Sequence, residues 1–494
     1  MRRWPYLFLS VWMLVSARPA AAAAARASAA SRPAEQLAPT LNFGRFGTVT
    51  FYRPSPNPRH VVLFVSGDGG WNLGVVEMAK ALAQLDTLVV GVDIRHYLKQ
   101  LAAAKESCSN AAVDFEALSQ FVQKKLGLAT YTPPVLVGYS SGATLVYATL
   151  AQAPPNTFRG AISLGFCPDL PLHKPFCAGH GVASGPGPKG KGLSFLPATN
   201  LENPWVALQG TADETCLPDQ TARYVQQVKN GSMVLLPKVG HGFALQARWM
   251  PQFKEAFQKM TAELPAPEKA AQVESRRAGP AAVDDLPLVE VPAKVKGDRL
   301  AVIVSGDGGW AGLDRDVGSA LAARGVAVVG LNSLSYFWKE RTPELAAKDL
   351  ERILRHYMNV WNRPRAILIG YSLGADVLPF MANRLPPALL QQVDLIALLG
   401  PEKMATFEFH IGEWLGHSSA SDLPVLPEVK KLAGKPRLLC MYGEQESASI
   451  CPTLDPKLGQ KIGFSGAHHF GGNYETLADR ILKELPATSS SGRP

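Results

Sequence analysis

Two parts of the chain carry nearly the same text in the same order. Val61-Val-Leu-Phe-Val-Ser-Gly-Asp-Gly-Gly-Trp71 returns as Ala301-Val-Ile-Val-Ser-Gly-Asp-Gly-Gly-Trp310. A second apolar run follows each, Thr87 to Val92 and Val326 to Leu331, and then Val135-Leu-Val-Gly-Tyr-Ser-Ser-Gly-Ala143 returns as Ile367-Leu-Ile-Gly-Tyr-Ser-Leu-Gly-Ala375. Chance does not produce this order twice, so the chain is a tandem pair of homologous domains. Pro265, Pro267, Arg276, Arg277, Pro280, Asp284 and Asp285 fall in a stretch without sustained periodicity, which reads as a linker over 263–285. The domains are placed at 40–262 and 286–487.

Within each copy, short β-branched and leucine-rich runs alternate with amphipathic stretches. Val61–Ser66, Val135–Gly138, Gly160–Leu164 and Trp205–Gln209 have counterparts in Ala301–Ser305, Ala366–Gly370, Leu395–Leu399 and Arg437–Tyr442. Continuous apolar strands between helices imply a mainly parallel sheet covered on both faces. The expected fold class is α/β, in two tandem homologous domains, each a mainly parallel sheet flanked by helices.

At 494 residues and 47% hydrophobic content the chain can bury large cores. Its net charge of +9 is not gathered into a basic stripe, since no Lys/Arg run exceeds two residues. No nucleic-acid partner is therefore expected, and mild attraction to an anionic membrane surface fits better. The N-terminus reads as a cleavable export signal over 1–25: Arg2 and Arg3, an apolar run from Pro5 to Ala17, then the alanine run Ala20 to Ala25. Export to the periplasm is the expectation, and it makes the cysteines candidate disulfide partners. Cys440 and Cys451 are the pair available to the second half. Of the first half's Cys108, Cys167, Cys177 and Cys216, the short Cys167–Cys177 loop is favoured.

Gly138-Tyr-Ser140-Ser-Gly142 and Gly370-Tyr-Ser372-Leu-Gly374 match G-x-S-x-G. The motif alone is weak, but each match follows a buried strand and precedes a helix-forming stretch, where a strand-to-helix elbow lifts a serine Oγ above the sheet. A serine nucleophile needs a base held by an acid. Asp213 and His241 follow Ser140, and Glu446 and His468 follow Ser372, in the order Ser, acid, His of the α/β-hydrolase arrangement. Glu444 rivals Glu446, and His469 rivals His468. Oxyanion-hole and substrate-loop candidates are Gly67, Asp68 and Ser141 in the first copy and Gly306, Asp307, Gly308, Gly309 and Leu373 in the second. Asp68 and Asp307 either cap a helix or brace the loop, or they offer a counter-charge to a cationic substrate group. Gly185-Pro-Gly-Pro-Lys-Gly-Lys-Gly192 lacks the Ser/Thr of a phosphate loop and reads as a mobile lid or insertion. His173, His180, His410 and His417 have no metal-ligand spacing, so no metal and no organic cofactor is expected.

The tandem S-G-D-G-G-W and G-Y-S-x-G halves, the export signal and the His468-His469-Phe470 ending resemble the AcvB/VirJ family of bacterial virulence proteins. That resemblance implies a periplasmic hydrolase removing the aminoacyl group from aminoacylated phosphatidylglycerol, lysyl- or alanyl-phosphatidylglycerol. It places the lipase-type serine at Ser372, with Glu446 and His468 or His469 as its partners. The partner would be an aminoacylated or anionic phospholipid at the periplasmic membrane face, with secretion-system proteins a further candidate, since VirJ-like proteins are linked to type IV secretion. Two alternatives stand beside this reading: a general periplasmic serine esterase or peptidase, and a non-catalytic binding protein that escorts type IV secretion substrates.

Overall fold

The computed structural model describes residues 38–262, 283–409, 422–434 and 436–486. The export segment 1–25, most of the expected linker, and His410 and His417 lie outside the described residues. From Thr40 onward the chain forms one compact unit, built on two large sheets.

The first sheet contains β1 (Thr40–Phe43), β2 (Gly47–Tyr52), β3 (His60–Val65), β4 (Thr87–Val92), β5 (Val135–Tyr139), β6 (Gly160–Leu164), β7 (Trp205–Gly210) and β8 (Gly231–Leu236). Their order is β1-β2-β4-β3-β5-β6-β7-β8. Only the β1–β2 and β2–β4 pairings are antiparallel. Helices α1 (Leu73–Ala83), α2 (Ile94–Ala103), α3 (Ala111–Lys125), α4 (Ser141–Gln152), α5 (Pro218–Val225) and α6 (Met250–Thr261) are interleaved with these strands.

The second sheet repeats the plan with β9 (Leu288–Val291), β10 (Arg299–Val304), β11 (Ala327–Leu331), β12 (Arg365–Tyr371), β13 (Val393–Leu399), β14 (Arg437–Gly443) and β15 (Gln460–Phe464). The order is β9-β11-β10-β12-β13-β14-β15, with only β9 antiparallel to its neighbour. Its principal helices are α7 (Gly312–Ala323), α8 (Pro343–Val360), α9 (Leu373–Asn383) and α10 (Tyr474–Lys483). Both sheets have the α/β-hydrolase arrangement. Strand β9 follows directly on the proline- and charge-rich stretch, where Leu288-Val-Glu-Val291 is apolar enough to add an edge strand.

The unbroken apolar runs are explained by the two faces. Along β3, Val61, Leu63 and Val65 join one core while Val62 and Phe64 join another. Along β10, Leu300, Val302 and Val304 separate from Ala301 and Ile303 in the same way. Side chains alternate across a strand, so a strand with helices on both sides must be apolar at every position. In each half the chain order reverses beside the first parallel strand: β3 lies between β4 and β5, and β10 between β11 and β12. Loops leaving the carboxyl ends of these strands border the crevice where open α/β sheets bind ligands. Those loops are S-G-D-G-G-W and the G-x-S-x-G elbow.

The cysteines pair as Cys108–Cys177, Cys167–Cys216 and Cys440–Cys451. The favoured Cys167–Cys177 pairing is not made, because the chain after Cys167 leaves the end of β6 instead of closing a local loop. Cys167 meets Cys216 beyond the adjacent strand β7. Cys177 is carried to the start of α3, where Ser109 N–H donates to Pro175 O at 2.8 Å and Cys177 N–H donates to Ser109 O at 2.9 Å. The glycine-rich stretch forms an insertion, with Asp169–Leu170, Ser184–Pro186 and Leu193–Phe195 making a three-stranded antiparallel sheet. Leu193 and Phe195 anchor it in the core. Three disulfides fit an oxidising compartment. Among the described residues, no helix is long and apolar enough to cross a membrane.

The Cys108–Cys177 bond closes a long loop at the foot of α3. Replacing both cysteines with serine is expected to cost about 2–5 kcal/mol of stability, read as a lowered Tm and a lowered guanidinium midpoint.

Candidate active site

Each elbow depends on a close approach that only glycine permits. A Cβ on Gly142 would lie 2.4 Å from Ser66 O, and one on Gly374 would lie 2.0 Å from Val304 O. The preceding glycines are equally confined: a Cβ on Gly138 would meet Gly142 O at 2.1 Å, and one on Gly370 would meet Gly374 O at 2.4 Å. The serine between them takes the turn. Ser140 has φ 55° and ψ −123°, and Ser372 has φ 52° and ψ −123°. A side chain at positive φ is strained, and the same strain at equivalent positions of both halves is the signature of a nucleophile elbow. The next N–H, of Ser141 or Leu373, belongs to the first helical turn and has no intrahelical partner.

The S-G-D-G-G-W loop is rebuilt identically in outline. Ser66 Oγ accepts from Ile94 N–H at 3.1 Å, and Ser305 Oγ accepts from Ser333 N–H at 2.9 Å. Gly70 N–H donates to Gly67 O and Gly309 N–H to Gly306 O, both glycines standing at φ 79°. The tryptophan locks the loop to the neighbouring strand: a Cβ on Gly91 or on Gly330 would lie 2.1 Å from the ring of Trp71 or Trp310. Gly67 and Gly306 abut the nucleophiles, with Cβ positions 3.0 Å from Ser140 Cβ and 3.5 Å from Ser372 Cβ.

Asp68 and Asp307 cap no helix, because the N-cap positions of α1 and α7 are Asn72 and Ala311. The helix-capping expectation is thereby corrected: the two glycines after each aspartate carry the chain past it before the helix starts. Asp68 is exposed. Asp307 faces a cavity, and burial lifts its carboxyl above the ordinary range against the pull of His468, the Asp307 and Gly308 amides and His469.

In the first half, Ser140 Oγ lies 2.9 Å from His241 Nε2, and His241 Nδ1 lies 2.9 Å from Asp213 Oδ2. Asp213 is buried and accepts further hydrogen bonds from Gln209 Nε2 and the N–H groups of Thr215 and Cys216. In the second half, His468 Nδ1 lies 2.5 Å from Glu446 Oε1. Glu444 does not reach His468 and lies beside Gly463 instead. Tyr139 donates to His241 O at 2.9 Å, and Tyr371 donates to His468 O at 3.4 Å. His468 is thus the structural counterpart of His241. His469 Nδ1 lies 3.0 Å from Tyr371 Oη. Among the described residues Ser372 Oγ makes no hydrogen bond to His468, a contact that in such sites often tightens only with substrate present.

Three groups that sequence reasoning missed shape the site. Gly165 and Gly400, at φ 66° and 63° beyond β6 and β13, leave room for the imidazoles: a Cβ would lie 3.3 Å from His241 Cε1 and 2.9 Å from His468 Cε1. The signal was present, as Leu164-Gly165 and Leu399-Gly400 recur at matching strand ends. The third is Glu116 on α3 of the first half. It lines, with Asp307, Ser372, His468, His469 and Tyr371, a cavity of about 830 Å3. A larger cleft of about 1180 Å3 contains neither serine and no member of either triad. Asp213, Cys216 and His241 bring three ligand-type atoms within 4.8 Å of one another, but Cys216 is held in a disulfide and the other two serve each other.

The profile of the bacterial virulence protein VirJ matches residues 59–164 and 298–489, more than half of the chain and parts of both sheets. The chain belongs to the VirJ family. A search of curated proteins finds no match to it. Solved structures similar to this VirJ-family chain include an esterase domain from a Rhodothermus marinus protein, 18% identical, covering 45% of this chain and 97% of that one with a TM-score of 0.31. Est1E from Butyrivibrio proteoclasticus is 14% identical, covering 46% and 99% with a TM-score of 0.32. An α/β serine hydrolase without a lid from Xanthomonas campestris is 20% identical, covering 47% and 98% with a TM-score of 0.31.

Burial pulls the His468 pKa down, but the Glu446 hydrogen bond and charge, then Glu402 and Asp307, carry it above its ordinary 6.5. Burial and the neighbouring His468 lower that of His469. An imidazole acts as a base only when neutral. In a Ser140→Ala background, ester hydrolysis at Ser372 is therefore expected to fall on the acid side through a pKa above 6.5. Glu446→Gln is expected to move that limb to lower pH and to cut kcat by about 10^3–10^4-fold, read from pH–rate profiles.

Proposed function

We propose that this VirJ-family chain is a periplasmic serine hydrolase that cleaves the aminoacyl ester of aminoacylated phosphatidylglycerol, and that Ser372 is its nucleophile. The observation that carries this reading is the strained Ser372, beside the His468–Glu446 pair, on the wall of a cavity of about 830 Å3. A cavity of that size accommodates an amino-acid ester and part of a lipid headgroup.

The chemistry follows from the geometry. His468 Nε2 takes the proton of Ser372 Oγ as the oxygen attacks the ester carbonyl, and the His468 Nδ1–H donated to Glu446 fixes the tautomer. The carbonyl oxygen gathers negative charge against the Leu373 N–H and the amides of the Gly306–Gly309 loop. Collapse breaks the ester bond, His468 returns its proton to the departing glycerol oxygen, and phosphatidylglycerol leaves. Water then attacks the aminoacyl-serine with His468 again as base, freeing the amino acid and restoring Ser372. Every proton and bond is accounted for by these groups and one water.

A second reading has its own support: Ser140, His241 and Asp213 form an unbroken hydrogen-bonded chain, so the first half carries the parts of a second hydrolytic centre. Amino-acid release from lysyl- and alanyl-phosphatidylglycerol vesicles, followed for wild type, Ser140→Ala, Ser372→Ala and the double variant, tests both. Loss of release by about 10^4-fold or more in Ser372→Ala is expected. Small-ester turnover that survives Ser372→Ala and vanishes in the double variant would assign Ser140 a separate activity. Folded wild-type protein that releases no amino acid from either lipid would overturn the lipid assignment.

A further inference from the structure

Glu116 belongs to the first half, on α3, yet its Oε1 lies 3.6 Å from where a Cβ on Gly308 of the second half would stand. Helix α3 is held there by contacts between the halves. Lys124 Nζ on the same helix donates to Trp338 O at 2.7 Å and to Glu408 Oε1 at 2.9 Å. Trp338 Nε1 donates to Leu128 O at 2.8 Å, and its buried ring stacks on Phe409 and meets Tyr131. Arg315 and Glu202 form a further ion pair across the halves at 2.9 Å. The Ser372 cavity is therefore closed on one side by the first half, whose Pro154 and His180 also line it.

The charge of this cavity opposes that of the chain. The protein carries +9, yet no lysine or arginine lines the cavity, while Glu116, Asp307, Asp314 and Asp316 do. Asp316 is satisfied by Arg315. Asp307 feels His468, His469 and the Asp307 and Gly308 amides, whereas Glu116 and Asp314 face no cationic side chain. Glu116 makes no hydrogen bond or ion pair among the described residues. Asp314 is 2% exposed, and its Oδ1 has no hydrogen-bond partner while Oδ2 takes only a long bond from Gly306 N–H at 3.4 Å. Burial and the charge of Asp307 push Glu116 up to about 8. Carboxylates enclosed without a partner are unfavourable, and a bound cation removes that cost. These acids do not converge as a metal site would: among the described residues, only the Asp213 group brings three ligand-type atoms within 4.8 Å of one another. Separated acids around a roomy cavity suit an ammonium, which donates three hydrogen bonds in different directions.

We infer that Glu116, with Asp307 and Asp314, forms a binding site for an ammonium group on the acyl side of the substrate, so that the first half supplies a specificity-determining residue to the nucleophile of the second. This rests on the hydrolase reading of Ser372 and extends it from the class of bond to the charge of the acyl group.

The test compares alanine ethyl ester with ethyl propionate, the same molecule without the ammonium, in a Ser140→Ala background and with Glu116→Gln added. Release of ethanol gives kcat and KM, and a thermal melt of each variant checks folding. The parent is expected to favour the alanine ester by at least about tenfold in kcat/KM, and Glu116→Gln to reduce that preference about tenfold to hundredfold through KM. A parent with no preference, or a Glu116→Gln variant that loses both esters equally, overturns the inference. Lysyl-phosphatidylglycerol vesicles run in parallel separate it from the lipid assignment. Glu116-dependent cleavage of the alanine ester without lipid cleavage sinks the lipid substrate and supports the ammonium site. Lipid cleavage with the parent KM in Glu116→Gln keeps the lipid substrate and overturns the site.

Discussion

The backbone carbonyl of Val304 comes so close to the start of α9 that residue 374 has no room for a side chain, and Ser66 O imposes the same limit on residue 142. Much of the site follows from that approach. It pulls the helix against the first parallel strand, compresses the turn between strand and helix, and drives the serine to positive φ. The serine Oγ is thereby raised above the carboxyl edge of the sheet, beside the S-G-D-G-G-W loop and within range of an imidazole from the far end. The strain is maintained by cores on both faces of each sheet. This is how a compact fold sustains a local conformation that an isolated peptide would abandon.

What could be read in the sequence was what the duplication displayed twice. The parallel strands, both elbows and the order of serine, acid and histidine all stood in paired, short-range patterns whose physical meaning is local. Tyr139 and Tyr371 illustrate the next level. Both lie in the legible motif, yet their hydroxyls support the histidine loops from about a hundred residues away, which no local pattern announces. Cys440–Cys451 was legible because its half held no other cysteine, whereas the pairing of the first half's cysteines was hidden for the same reason. Proximity along the chain favoured Cys167–Cys177, but neighbouring strands β6 and β7 brought Cys167 to Cys216, and the insertion carried Cys177 back to α3. Glu116 was illegible because its importance depends on how one copy meets the other. Within its own helix it is one polar residue following a buried phenylalanine.

The two copies have kept the same framework and diverged at its mouth. Their loops share the backbone hydrogen bond to Ser66 or Ser305 and the packing of Trp71 or Trp310 on the neighbouring strand. The acid differs, aspartate in one and glutamate in the other, and the longer side chain still reaches its imidazole. Beyond the loop the environments part: Asp68 is exposed, whereas Asp307 looks into a cavity walled by the other half. Equal scaffolds have thus been given unequal surroundings, and the surroundings decide what can approach each serine.

The Lys124–Trp338 contact has a consequence for how such a chain can change over time. A duplicated enzyme is usually free to let one copy decay or specialise, because the other preserves the original task. Here α3 of the first copy is built into the wall of the second, so drift in the first reshapes the cavity beside Ser372. The redundancy created by duplication has been turned to architecture, since one copy now completes the surroundings of the other's serine.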